Sequence, residues 1–147
     1  MIAVDTNILV YAHLGTMPHH EQSRRCLLKL AEGPDAWAIP WPCIHEFLGV
    51  VTNPRVIRPP IPMEEAFSAL DSFSRDSNLI LLSEAADHRE RLRGLLIPGR
   101  VVGPMVHDAK VAAICLSHGV TELWTADRDF SRFPALHVRN PLDSGSR

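Results

Sequence analysis

Apolar residues fall along the chain in two kinds of run. Short blocks without strict alternation occur at Ile2–Val4, Trp37–Ile39, Leu79–Leu82 and Leu123–Thr125, each bounded by turn-forming residues. That pattern predicts strands buried on both faces, as in a parallel sheet. Between them lie 21–32, 42–52, 64–75, 85–96 and 105–118, where apolar residues return every three or four positions, predicting helices. A shorter helical stretch, Ile8–Ala12, follows the first block, and a last short strand is expected near His137–Arg139. Strand and helix taking turns over the whole length predicts a three-layer α/β/α fold around a central, mostly parallel sheet of four to five strands. Ligands of such sheets bind beyond the carboxyl ends of the strands, where strand order reverses. The side chains that reach this edge are therefore the candidates for chemistry.

Size sharpens the picture. The 147 residues, 46% of them hydrophobic, suffice for one sizeable core but not for two ordinary domains. One domain over residues 1–140 is expected, with 141–147 as a flexible tail. No repeat or low-complexity block interrupts it. The start Met1–Asp5 lacks the basic opening of a signal peptide, and no uncharged apolar run approaches the ~18 residues of a membrane span. A cytoplasmic protein is expected. Cys26, Cys43 and Cys115 are odd in number and scattered, which predicts reduced thiols, mostly in the core, rather than a zinc site or disulfides.

The net charge of −2 does not advertise a nucleic-acid binder, whose usual footprint is basic. The sum changes if several carboxylates are withdrawn into one site. Thirteen of the fifteen cationic residues are arginines, and Arg89, Arg91 and Arg93 cluster within five positions. They are either phosphate-contacting forks or a solvated helix face.

Four acids stand out. Asp5 closes the first strand and precedes a helical stretch, so it serves either as an N-cap or as a rim acid. Asp127 has the same position after Leu123–Ala126. Glu46 is surrounded by Ile44, Phe47, Leu48, Val50 and Val51, which leave its helix little polar face. Asp108 begins a stripe that continues at Val111, Ala112 and Cys115 and should face the core. Burying an unpaired carboxylate costs several kcal/mol. Clustered carboxylates repel one another by roughly 4 kcal/mol per close pair at an effective dielectric near ~20. A divalent cation offsets both, and oxygen ligands without paired His or Cys point to Mg²⁺ or Mn²⁺ rather than zinc.

Taken together, Asp5-Thr6-Asn7 after a first strand, Glu46 in a Pro-x-x-x-Glu-Phe helix start, His107-Asp108-Ala109 opening an apolar helix, and Thr125-Ala126-Asp127-Arg128-Asp129-Phe130 resemble a PIN domain in order, spacing and context. The resemblance runs from residue 2 to about residue 140, and the small single domain looks like the VapC toxins of bacterial toxin–antitoxin pairs. It implies a metal-dependent endoribonuclease in which Asp5, Glu46, Asp108 and Asp127 hold one or two divalent ions, directly or through water, with Asn7 and Thr125 orienting them. Asp129 matches a less consistently used fifth acid and could equally cap the segment after it. The resemblance further implies 3′-hydroxyl and 5′-phosphate products, a homodimer, and a cognate antitoxin. Single-stranded or looped RNA is the expected substrate, because A-form helices hide their base edges.

His45 and His107 adjoin Glu46 and Asp108, but helix neighbours point about 100° apart, so surface or supporting roles are expected for both. His19 and His20 should begin the second helix. Trp37 and Trp41 flank the second strand and serve either as core or as stacking platforms for bases. The proline-rich segment 53–62 is a connector, a groove rim or a partner contact. A phosphatase of the haloacid dehalogenase kind needs Asp-x-Asp on the first strand, where this chain carries Asn7. A binding-only PIN-like module and a housekeeping RNA-processing nuclease are the other readings.

Overall fold

The computed structural model describes residues 1–75 and 77–143. Five strands form one parallel sheet: β1 (Ile2–Val4), β2 (Trp37–Pro40), β3 (Leu79–Leu82), β4 (Glu122–Trp124) and β5 (Val138–Arg139), in the order β3-β2-β1-β4-β5. All five expected strands are therefore present, the weak last one included. The helices are α1 (Thr6–His13), α2 (His20–Glu32), α3 (Trp41–Val51), α4 (Met63–Ser74), α5 (His88–Leu96) and α6 (Val106–Ser117). Helices α1 to α4 pack on one another, and α5 packs on α6. The chain builds outward from β1 through β2 to β3, then crosses back to lay β4 on the other flank of β1. Strand order thus reverses between β1 and β4, which places the favoured ligand position at their carboxyl ends.

The core lies between these layers. Ala3, Val4, Trp37, Ala38, Ile39 and Leu123 meet Ile8, Leu9, Phe47, Ala112 and Ile114, all essentially without solvent exposure. Helix α6 is nearly all buried over Ala109–Cys115, and its run of small residues lets it approach the sheet closely. Cys43 and Cys115 are buried free thiols and Cys26 is half-buried, as expected. Leu142 is also buried, so the expected tail is anchored at its start, whereas 144–147 lie outside the described residues. Among the described residues no helix is long and apolar enough to cross a membrane.

Two expectations are corrected. β3 is not buried on both faces: Ile80 and Leu81 are 45% and 39% exposed, because β3 is an edge strand paired only with β2. Helix α5 begins at His88 rather than Ala85, since the Asp87 carboxylate is held by the Ser117 hydroxyl and by Arg91, each at 2.7 Å, and ends the preceding turn.

Candidate active site

The carboxyl ends of β1 and β4 carry Asp5 and Thr125-Ala126-Asp127 to a common edge. The Asp5 amide donates to the Trp124 carbonyl at 2.9 Å, continuing the β1–β4 ladder to the point where both chains turn away. Asp5 caps α1, its Oδ1 accepting the Thr6 amide at 2.8 Å, so capping and site roles coincide in one side chain. Oδ1 also accepts the Cys43 thiol at 3.4 Å, and Oδ2 accepts the Thr125 hydroxyl at 2.7 Å and the Asn7 amide nitrogen at 3.3 Å. Asn7 is itself fixed, because its Oδ1 accepts the Ala126 amide at 3.1 Å and its nitrogen also reaches Thr125 Oγ1 at 3.2 Å. Thr125 Oγ1 in turn accepts the Asp127 amide at 3.0 Å. One network therefore ties the ends of β1 and β4 together, with Asn7 and Thr125 in orienting positions.

Asn7 could not be an aspartate here without loss. A second carboxylate would donate nothing to Asp5 and would repel it. The Asp-x-Asp arrangement, discounted on sequence, does not fit this hydrogen bonding either.

The other wall of the bowl comes from α3, α6 and the turn after β4. Helix α6 is entered through a 3₁₀ turn, Gly103–Met105, opened by Gly103 in the left-handed region at φ 61°, where glycine avoids a steric cost. Asp108 lies in the first turn of α6 and Asp127 and Asp129 beside it; one carboxylate oxygen from each lies within 4.8 Å of the other two. Asp127 Oδ1 accepts the Asp129 amide at 2.9 Å, which folds this turn back on itself. Asp129 thus both supports a turn and joins the acid cluster. Asp5 and Glu46 line the same bowl but stand outside that group of three.

Glu46 is exposed. Helix α3 presents Trp41, His45, Glu46 and Gly49 to solvent, so the expectation that Glu46 lacks a polar face is corrected. It nevertheless lines the bowl, held by the Thr6 hydroxyl at 3.1 Å. Thr6 was not singled out from sequence; its place between Asp5 and Asn7 in the first motif was the available signal. His45 and His107 sit on the exposed rim, Trp37 is core, and segment 53–62 contributes nothing to the described lining, packing Ile57 and Ile61 inward instead. Helix α5 buries no residue, and its Arg91 pairs with Asp87, so the arginine cluster forms a solvated face.

The bowl holds about 790 Å³. Five carboxylates line it, those of Asp5, Glu46, Asp108, Asp127 and Asp129, against one lysine, Lys110. Leaving out those five acids of the chain's seventeen and Lys110 of its fifteen cations gives twelve acids against fourteen cations, a surplus of two positive charges elsewhere. The overall −2 therefore conceals an acidic bowl in a mildly basic chain.

The bowl's charge is not balanced by the protein. Burial, followed by Asp127, Asp5, Asp129 and Glu46, pushes the Asp108 carboxyl up to about 6. A helix N-terminus should favour the anion; here desolvation and four neighbouring acids outweigh it. Asp5 is raised as well, chiefly by burial, although its hydrogen bonds to Thr125, Thr6 and Cys43 work the other way. Burial likewise lifts the adjacent thiols, Cys43 well above its ordinary range and Cys115 to about 12, so neither supplies a thiolate nucleophile. All five acids offer oxygen, and no His or Cys joins the group of three. Such a donor set fits a hard divalent cation.

Comparison with known proteins agrees with this geometry. The PIN domain family model matches residues 2–136. Ribonuclease VapC43 of Mycobacterium tuberculosis is 34% identical over 143 residues, covering 97% of each chain. VapBC2 from Rickettsia felis, solved bound to a promoter DNA fragment, shares the fold with a TM-score of 0.69 at 23% identity, over 95% of this chain and 98% of that one. A toxin–antitoxin complex from Klebsiella pneumoniae superposes with a TM-score of 0.63 at 20% identity, over 96% and 98%. With the family model spanning nearly its whole length and a VapC ribonuclease aligned from end to end, this chain belongs to the PIN-domain family, among its VapC ribonucleases.

Proposed function

We propose that this chain is a divalent-metal-dependent endoribonuclease that hydrolyses RNA phosphodiesters at the acidic bowl, as the toxin of a toxin–antitoxin pair. The observation that carries the metal reading is the approach of Asp108, Asp127 and Asp129 to within 4.8 Å, in a bowl whose charge the protein leaves unbalanced. These three would hold Mg²⁺ or Mn²⁺, with Asp5 and Glu46 acting through water or on a second ion. The chemistry such an ion supplies is a lowered water pKa and neutralisation of the charge that develops on the leaving oxygen. Asp5 is locked by four hydrogen bonds and fixes the back wall. Asn7 and Thr125 keep Asp5 and the Asp127 backbone in register, so that the two motifs move as one unit. Lys110 stands on the rim, where it would meet a phosphate of the incoming strand.

The ribonuclease name of the 34%-identical relative supports RNA as substrate, and the toxin–antitoxin structure supports restraint by an antitoxin. A homodimer in the cytoplasm completes this reading. The test is cleavage of a mixed RNA panel with Mg²⁺ or Mn²⁺, with chelator, and with an Asp5→Asn variant. Discrete cuts that vanish in chelator and in Asp5→Asn are expected. Cleavage insensitive to both would overturn the reading.

A further inference from the structure

The carboxyl edge of the sheet does not end at the bowl. Running from β4 through β1 to β2 and β3, it carries in turn Asp127, Asp5, Trp41 and Ser83-Glu84. A second cleft of about 500 Å³ lies over the β2–β3 half, lined by Trp41, Pro42, His45, Ser83, Glu84, Lys110 and Ile114. Pro42, His45 and Lys110 belong to both cavities, so the two form one continuous groove between α3 and α6. The helical spacing explains the division. On α6, Asp108 and Val111 face the bowl and Ile114 faces the second cleft, while Lys110, four residues before Ile114, lines both. On α3, Trp41 and His45 are also four apart, with ring centroids 5.8 Å from each other and planes tilted by 38°.

Trp41 is 38% exposed, unlike Trp37, which is fully buried four residues earlier, and Trp124, which is 7% exposed. Trp41 also lines a small apolar groove with Ile44, Phe67 and Leu81. Lys110 is the one Lys or Arg among the described residues lining either cavity, and it joins none of the ion pairs among them. An aromatic face, a free ammonium group and an open path to five carboxylates match the components of an unpaired nucleotide: base, phosphate and the bond to be cut.

We infer that the Trp41 cleft is a substrate subsite, in which the base of an unpaired nucleotide flanking the cut stacks on Trp41 while Lys110 contacts the phosphate between it and the bowl. The sheet sets the reach. Trp41 follows β2, which lies one strand spacing of about 4.8 Å from β1, so the stacked base is a close neighbour of the scissile bond. Glu84, on the far wall, repels phosphate and so directs the backbone to the Lys110 side and the base edge towards itself. This inference rests on the RNA-cleavage reading but has a readout of its own.

The experiment pairs kinetics with a stacking probe. Trp41→Ala is expected to raise KM about tenfold with kcat within about twofold, the effect of one lost base stack, while Trp41→Phe stays near the parent. Single-stranded oligoribonucleotides with 2-aminopurine walked along the sequence, bound to the Asp108→Asn variant so that no turnover interferes, should show quenching at one position beside the cut. Adding Trp41→Ala should remove that quenching, and Trp41→Phe should keep it. Unchanged KM together with unchanged quenching in Trp41→Ala would overturn the subsite. So would a Trp41→Ala variant that alters only the monomer–dimer equilibrium in sedimentation, because Trp41 would then serve a protein interface. Trp41-dependent quenching without cleavage of any RNA by the parent would instead refute the nuclease reading and leave the base site standing.

Discussion

The two walls of the bowl are built on opposite principles. On the β1–β4 wall, Asp5 is buried and its oxygens accept from Thr6, Cys43, Thr125 and Asn7. On the α6 wall, no hydrogen-bond donor among the described residues reaches the Asp108 carboxylate, and Asp127 takes only the Asp129 amide. Burial raises both Asp5 and Asp108, but on the first wall hydrogen bonds resist the rise, while on the second four acids add to it. The difference separates scaffold from binding surface. Hydrogen bonds are concentrated where geometry must be fixed, and charge is left unanswered where the proposed cation would sit.

The largest break in this contrast is expected from Asp108→Asn. Cleavage should fall to background in the RNA assay, while melting in chelator should occur at a higher temperature than for the parent, since a repelling carboxylate is gone. A loss of stability instead would mean that Asp108 is part of the scaffold. Thr125→Val should behave oppositely. It leaves a buried carboxylate short of a donor and the Asp127 amide short of an acceptor, costing about 2–3 kcal/mol in denaturant unfolding with or without metal.

A smaller effect is set by pH. The folded Asp108 carboxyl, at about 6, lies above its ordinary value of 3.8, so the folded state holds that proton more tightly than the unfolded chain. Its contribution to stability is full below the unfolded value and is lost as pH rises through about 6. The melting advantage of Asp108→Asn over the parent in chelator should therefore grow from about pH 4 to about pH 6 and level off above, and saturating Mn²⁺ should reverse it. A pH-independent gap would contradict the titration. Smallest of all, Glu46→Gln should change unfolding stability by less than about 0.5 kcal/mol, because the side chain is exposed, while lowering cleavage measurably.

Much of this was legible in the sequence where local pattern decides structure. The four apolar blocks marked four strands, with a weaker fifth near His137–Arg139, and acids closing the first and fourth marked the edge at which strand order reverses. What stayed hidden depends on the assembled sheet. Four consecutive apolar residues at Leu79–Leu82 read as buried, but only the strand order reveals that β3 is an edge. Glu46 was singled out for a burial it does not have; it reaches the bowl because His45 and Glu46 lie on the one open face of α3. Asp129 could not be told from a cap until the turn after β4 brought it beside Asp108. Lys110 was missed because the apolar stripe of α6 passes through Asp108, Val111 and Cys115 and leaves it aside. Trp37 and Trp41, alike in sequence, part company because β2 ends between them.

Calorimetric titration of the metal-free protein with Mn²⁺, beside Asp108→Asn and Thr125→Val, tests most directly whether the open wall is a cation site. Saturable binding by the parent is predicted, weakened more than tenfold in Asp108→Asn and retained by the folded Thr125→Val at reduced strength. Equal binding by the parent and Asp108→Asn, or none by the parent, would contradict it.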